Sequence, residues 1–435
     1  MNRDTIVKSM KEPVGRLRVA VIGSGVAGLV AARQLHDAHQ VTVFEQQDYL
    51  GGHAHTVVVQ DGERTLNLDT GFIVFNRQNY PQFSRMLDKL NIASQPSEMS
   101  FGVSCQKCDI EYSSRGLKGL FARRRHALSP HFYRMIIDIV RFNRWACQKT
   151  GPGIPATQTI GDLRKDRLFS DDFFRHYLMP MTGAVWSSTG ADVDEMPLSF
   201  LLTFFQNHGL LQTHGHPKWR TVTGGSHRYI ESLSKPFIDR VRLKTPVLTV
   251  RRHPNNVEVR TNDGWEQFDK VILATHTDQT LRLLNDASHE ERLALGAIAY
   301  RRNEAVLHTD ADVLATVEPA RASWNCHIDR CVDRDAPLRM TYYLNRLQRL
   351  DTTTPYLVTL NDDGRVNSNR VLARMVYAHP MYTSDSLSAR RTLQQLNGQR
   401  NTAFCGAYMG NGFHEDGVQS GLAAAQLVST KREST

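Results

Sequence analysis

The sequence predicts an α/β fold in which a Rossmann-like nucleotide-binding domain is assembled from separated segments and accompanied by an α+β second domain. Three observations predict it. Near the N-terminus "RVAVIGSGVAGLVAARQLHDAHQVTVFE" reads as strand, glycine loop, helix and strand. Near the other end "FCGAYMGNGFHEDGVQSGLAAAQLV" reads as a strand end, a second glycine loop and a helix rich in small residues. Between them lie a helix-rich segment and several strand-like runs, including "NEAVLHTD", "MTYYLNRLQ" and "PYLVTLN".

The β-branched apolar run Arg18 to Gly23 suits a buried parallel strand. In the loop Gly23-Ser24-Gly25-Val26-Ala27-Gly28 each glycine has its own job. The first makes the tight turn, the second lets the backbone approach a pyrophosphate, and the third lets helix and strand pack closely. Leu29, Ala32 and Leu35 then face inward, and phosphate oxygens find free N–H groups and the positive dipole end at the helix start. The second strand ends in Glu45, where an acid binds a ribose hydroxyl pair and repels a 2′-phosphate.

Gly51-Gly52 extends this unit, and with it the chain resembles the flavin amine oxidase and phytoene desaturase superfamily. That resemblance implies FAD as cofactor and an amine-oxidase-like fold. It also brings the backbone near Gly71, in "NLDTGFIVFN", close to the flavin, and Val247 against the adenosine half. His53 stands where the family usually has Arg. The stretch "WRTVTGGSHRYIESLSK" resembles the family's glycine turn and helix entry. After it, "VEVRT" and "FDKVILAT" read as strands joined by the hairpin "NDG". His276 follows, where many relatives have Pro. It is a candidate acid, base or substrate hydrogen-bond donor, or a polar cap on the next helix.

At the C-terminal motif the strand end reaches Gly406, and a helix is expected from about Gly417, with Ala423, Ala424 and Ala425 as its small face. Its free N–H groups suit the isoalloxazine edge, a role the resemblance gives to the backbone near Val418. The acid common after the family's glycine is missing, since Ala407 and Tyr408 follow, so Asn411 or Glu415 is the expected substitute. Phe413 matches one aromatic wall of the amine oxidases' amine cage, and no second wall can be read from the sequence. His414 and Glu415 are placed to move a proton. Trp324, Asn325 and Asn345 are pocket candidates.

The FAD-binding domain is thus expected from 17–75, 218–290 and 395–430, and the substrate domain from 76–217 and 291–394. "DTGFIVFN", "GGSHRYI", "AVLHTD", "SWN", "YYLNRLQ" and "GFHEDG" together resemble a bacterial subgroup of predicted FAD-binding oxidoreductases. That subgroup is related to the oxidase domain of plant cyclopropane fatty acid synthases, and its members include desaturases that work with a lipid methyltransferase. The resemblance implies oxidation or desaturation of a fatty-acyl or phospholipid substrate by hydride transfer to flavin N5. A flavin amine oxidase and a non-catalytic FAD-containing lipid-binding or regulatory protein are the alternatives.

Composition narrows the remaining classes. The chain has 435 residues, 40% hydrophobic, and a formal charge of +9, which suggests an anionic partner. Nine Lys or Arg and one acid, Asp138, lie between Arg115 and Lys149. Phe132, Met135, Ile136, Ile139, Val140 and Phe142 recur there at roughly helical spacing, so this segment is either an anionic-membrane surface or a helix with a solvated basic face. No nucleic-acid-binding signature accompanies the charge. The N-terminus lacks a signal-peptide core and no run is long enough to span a bilayer, so the expected location is cytoplasmic, peripheral on the inner face of the membrane. Cysteines at 105, 108, 147, 326, 331 and 405 are too sparse for a disulfide framework. Cys105 and Cys108 form a CxxC without a second pair, which reads as incidental, and no metal site is expected. Covalent flavin attachment at Cys405 is not expected either.

Overall fold

A computed structural model of the chain describes residues 15–149, 154–155, 157–212, 215, 217–329 and 338–429. Residues 1–14 of the N-terminal stretch, Cys331, and residue 430 of the expected FAD-binding segment lie outside the described residues.

The first strand, Arg18–Ile22, is central to a five-stranded sheet whose order is Val241–Arg242, Gln40–Phe44, Arg18–Ile22, Lys270–Leu273 and Thr402–Phe404. Every pairing in it is parallel. Such a sheet must be covered on both faces, and strand periodicity divides its side chains accordingly. Val19 and Val21 pack with the helices Val26–Leu35, His227–Ser234 and His414–Ser429. Ala20 and Ile22 pack the other way, with Val257, Val259 and Phe268 of a three-stranded antiparallel sheet. That small sheet refines the expected hairpin: Val257–Thr261 turns back through Gly264–Phe268, and Lys270–Leu273 then leaves to join the parallel sheet.

A seven-stranded sheet forms the second unit, in the order Val371–Pro380, Tyr300–His308, Leu357–Leu360, Arg339–Tyr343, Trp324–Ile328, Phe101–Cys105 and Ile110–Ser113. The last two strands come from the segment expected to be helical, and Phe101–Cys105 pairs in parallel with Trp324–Ile328. Only the start of "MTYYLNRLQ" is strand, because Leu344–Leu347 turns into a short helix whose ends, Leu344 and Leu347, are buried. Beside this sheet an aromatic core gathers Phe142, Phe173, Phe174, Trp186, Phe204 and Phe205.

Two helices contribute to the nucleotide side from outside its expected segments. Pro81–Lys89 inserts Phe83 and Leu87 into the core beneath the first helix, and Ser384–Leu396 inserts Ala389 and Leu393 beneath the opposite face. The basic segment is largely helix, Pro130–Lys149. Of the apolar repeat read from sequence, Phe132, Met135, Ile136, Ile139 and Phe142 pack with Ala146 against the protein's own cores, and Val140 is turned to solvent. Tyr133, Ile137 and Val140 of this helix are exposed, Ile137 at 58%, as are Leu117 and Leu128 in the short helical turns before it.

Candidate flavin and substrate site

The parallel strands end at one cavity of about 1910 Å³, the position at which open parallel sheets bind ligands. Ile22 and Phe44 reach it from the strand ends, followed by Ser24, Gly25, Val26 and Ala27. Gly23 has φ of +101° and donates its N–H to the Phe44 carbonyl. A β-carbon on Gly28 would collide with the Gly23 carbonyl oxygen, which explains the third glycine. At Gly25, by contrast, nothing lies within 4 Å of the place a β-carbon would occupy. That open ground at a helix N-terminus fits a pyrophosphate. Glu45 sits beside it, with Oε2 accepting from Ser24 N (2.9 Å) and Oγ (2.6 Å) and Oε1 accepting from Gln47 N (2.9 Å).

Gly51 closes the loop by donating its N–H to Ser24 O at 3.0 Å, and Gly52, His53, Gly71, Val247 and Gly406 also line the cavity. Gly71 lies against the His53 backbone, where Phe72 N donates to His53 O at 2.8 Å. The C-terminal helix starts at His414, three residues before the expected Gly417. Asp416 reaches back to accept from Phe413 N at 2.9 Å and Asn411 N at 3.0 Å, which extends the helix by a turn. Gly417 consequently faces Val26, Val418 lies in the core, and Gly421 abuts the Ala27 carbonyl. Ala424 and Ala425 are buried and Ala423 is exposed, so these two glycines and two alanines form the close-packed face.

His53, His276, His379 and His414 all line the cavity. The His53 ring lies 5.0 Å from Tyr377, 5.5 Å from His379 and 6.0 Å from His276. Its Nε2 is buried with no hydrogen-bond partner. Burial first, then the neighbouring imidazoles, hold His53 well below the usual histidine range, and burial pushes His379 down to about 4. His276 is the N-cap of helix Thr277–Leu283 and stacks on Tyr300 at 4.4 Å, while burial lowers its pKa. His414 stacks on Phe72 at 3.7 Å and hydrogen-bonds through Nε2 to the Tyr229 hydroxyl. Burial pushes it to about 3, so the ring is neutral. Glu415, next in sequence, points elsewhere: its oxygens accept from Gln82 N (3.0 Å) and Phe83 N (2.9 Å) at the start of helix Pro81–Lys89.

On the substrate side Phe413 and Trp324 line the cavity. Phe413 stacks on Phe204 at 4.9 Å, and Phe204 in turn contacts Trp186 at 4.6 Å and His208 at 3.8 Å. Trp324 Nε1 is buried with no protein partner. Asn325 is turned from the cavity onto Ala322 and the Thr341 carbonyl, and Asn345 holds Thr352, Thr354 and Tyr356 backbone groups. Sequence reading missed Tyr112, Tyr177, Phe204, Tyr342, Tyr377 and His379 on this wall. Strand alternation in "YYL" and "VYAHP" was the available signal for the sheet residues; the helical ones carried none.

A family profile described as flavin containing amine oxidoreductase matches residues 26–301. The chain belongs to this family. FAD is accordingly its cofactor. A carotenoid phi-ring synthase from Streptomyces griseus is 28% identical over 371 residues, covering 77% of this chain and 66% of that protein. The first curated relatives are matched over 66% of their own length or less. Among solved structures, cyclohexylamine oxidase from Brevibacterium oxydans IH-35A has a TM-score of 0.67 at 13% identity, over 95% of this chain and 99% of that one. A fatty acid isomerase of P. acnes that produces CLA has a TM-score of 0.63 at 14% identity, over 94% of this chain and 98% of that one. This flavin-family chain shares the amine-oxidase-like fold with both.

Proposed function

We propose that the protein is an FAD-dependent oxidoreductase that oxidises or desaturates a hydrophobic substrate of the fatty-acyl class. The observation that carries this reading is the cavity lining beyond the glycine loop, where Met99, Phe101, Tyr177, Met181, Phe204, Leu210, Trp324 and Leu360 dominate. The lining carboxylates among the described residues are Glu45 and Asp278, both on nucleotide-side segments. An alkyl chain gains about 0.8 kcal/mol per buried methylene in such a space, whereas an ammonium finds no carboxylate there. Lys218 and Arg220 line the same cavity and suit an acyl carboxylate or phosphate head. Bound FAD supplies the hydride-accepting chemistry. Gly23 to Gly28, Glu45, Gly51, Gly52, His53, Gly71, Val247 and Gly406 would hold it, and the apolar wall excludes water. The Tyr229–His414 pair holds a proton between the phenolic oxygen and Nε2. In this reading the parallel-sheet unit binds FAD and the seven-stranded sheet with its helices binds substrate.

The name of the Streptomyces relative, a synthase of carotenoids, supports a hydrophobic substrate. The finer proposal is that the protein docks on an anionic membrane. Its support is the exposure of Leu117, Leu128, Tyr133, Ile137 and Val140 in the same stretch of chain as exposed Arg124, Arg134, Arg141 and Arg144. Among the described residues no helix is long and apolar enough to cross a membrane. A lipid methyltransferase acting on the same acyl chains belongs to the proposal as partner, and its co-purification with the tagged chain tests it.

Anaerobic mixing of the yellow holoprotein with phospholipids, free fatty acids and a panel of amines tests the substrate class. Bleaching of the visible flavin band by acyl lipids, with a product two hydrogens lighter, is expected. Bleaching by amines alone overturns the reading, and no bleaching by either class favours a non-catalytic lipid-binding role.

A further inference from the structure

The CxxC that looked incidental in sequence acquires a third partner in the fold. Cys105 ends the strand Phe101–Cys105, and Cys108 lies in the turn before Ile110–Ser113. His176 comes from a distant helical stretch, where Phe174–Leu178 winds as a single π-helical turn. One ligand atom from each of the three residues lies within 4.8 Å of the others. The His176 side chain is fully buried, and neither ring nitrogen has a hydrogen-bond partner. Burying an imidazole without strong hydrogen bonds is costly, and a ring so placed beside two thiols is available as a ligand. π-Turns inside helices recur at functional sites, since they displace a side chain from regular packing. Hairpin and π-turn are also tied directly, because the Tyr112 hydroxyl donates to the His176 carbonyl at 2.7 Å.

We propose that Cys105, Cys108 and His176 form a zinc site. Two thiolates and an imidazole are the donor set that selects Zn2+ over hard cations. Bonds of ~2.0–2.3 Å place tetrahedral ligand atoms roughly 3.3–3.8 Å apart, so small side-chain rotations close the cluster from its present spacing. On binding, the two S–H protons leave to solvent and the metal takes the two thiolate lone pairs and one imidazole lone pair. Asp172, whose Oδ1 lies 3.7 Å from His176 Nδ1, is placed to accept the proton on the second ring nitrogen and fix the ring. Cys108 is exposed, so the fourth position opens outward and takes water. The metal pins the hairpin to the π-turn, and Tyr112 and Tyr177 from those two elements line the substrate cavity.

The test uses the full-length holoprotein, purified, dialysed against metal-free buffer and analysed by inductively coupled plasma mass spectrometry. About one zinc per chain is expected. Cys108→Ser and His176→Ala should both lose it, and Cys108→Ser, at an exposed turn, should keep its flavin absorbance. Cobalt added to zinc-stripped protein should give thiolate-to-metal charge-transfer bands in the wild type and lose them in Cys108→Ser. Zinc in the wild type no higher than in Cys108→Ser, cobalt spectra without thiolate bands, or a Cys105–Cys108 disulfide in the purified chain would each overturn the proposal.

Discussion

Replacing Glu415 separates a cap from a catalyst. In the fold its carboxylate accepts two backbone N–H bonds, at 3.0 and 2.9 Å, from the first turn of helix Pro81–Lys89, and Gln419 Nε2 donates to it at 2.8 Å. Hydrogen bonds to a charged group contribute ~1.5–3 kcal/mol each, and loss of a helix cap costs ~0.5–2 kcal/mol. Glu415→Ala leaves the Gln82 and Phe83 N–H groups beside the buried Phe83 ring, so a cost of roughly 2–4 kcal/mol follows. For a chain of 435 residues that corresponds to a Tm lower by about 2–4 °C. Glu415→Gln keeps an acceptor oxygen and should lose about half as much. The assay follows flavin release on heating and, separately, the rate of anaerobic flavin bleaching at a temperature where both variants remain folded. Bleaching rates within ~3-fold of wild type are expected, against the ~100-fold or greater loss that removal of an acid–base group produces. An unchanged Tm in Glu415→Gln combined with such a collapse in rate would refute the capping role and return Glu415 to the proton-transfer role expected from sequence.

Three further outcomes follow from the geometry. Gly28→Val should yield colourless protein, because its side chain displaces the Gly23 carbonyl from the phosphate loop; a full complement of FAD in the purified variant would contradict this. Asp416 is pushed up to about 6, chiefly by burial, from an ordinary carboxyl value near 3.8. Its folded pKa lies above the unfolded one, so its contribution to stability is present below pH ~4 and is lost as pH rises through ~6. Asp416→Asn should therefore flatten Tm against pH across that window, and an unchanged slope would rule out Asp416 as the titrating group. Replacing both Ile137 and Val140 by Glu should reduce sedimentation with anionic vesicles by roughly tenfold or more at low salt, since each apolar side chain contributes ~1.5–3 kcal/mol when buried. Equal recovery of wild type with neutral and anionic vesicles would count against membrane docking.

The nucleotide half was legible because its information is local. Gly23, Gly25, Gly28 and Glu45 fall within one strand–helix–strand unit, and the steric demands on each glycine can be read from spacing alone. Long-range contacts were not legible. Nothing near Cys108 in the chain points to His176, and nothing near Phe413 points to Phe204, because each pair meets only when separate segments fold together. The amphipathic helix Pro130–Lys149 shows a different limit. Its periodicity identified an apolar stripe correctly, but periodicity carries no label for what the stripe faces; Phe142 turned out to meet Phe169 and Phe173 of the same chain. Asn325 and Asn345 failed for a third reason: a polar residue in or beside a strand attracts attention as a ligand group, yet each is occupied with backbone carbonyls, Asn325 with Ala322 and Thr341 and Asn345 with Thr354.

The histidines around the cavity form a consistent electrostatic design once they are considered together. Where the family usually carries Arg, His53 lies among His276 and His379, with ring centroids 5.5–6.0 Å apart. Protonating all three would gather like charges in a desolvated space, and burial alone already disfavours the first. Each therefore remains a neutral donor–acceptor at pH 7, as does His414 against Tyr229. A fixed guanidinium is thus replaced by neutral rings, one of which, His53, keeps Nε2 unpaired among the protein atoms at the cavity wall. Such a wall orients a bound group through hydrogen bonds and adds no charge of its own to the cavity, whose cationic lining, Lys218 and Arg220 among it, comes from other segments. That combination suits a C–H bond in an uncharged chain better than it suits a cationic substrate, and it arises from the same substitution that sets this sequence apart from the family pattern.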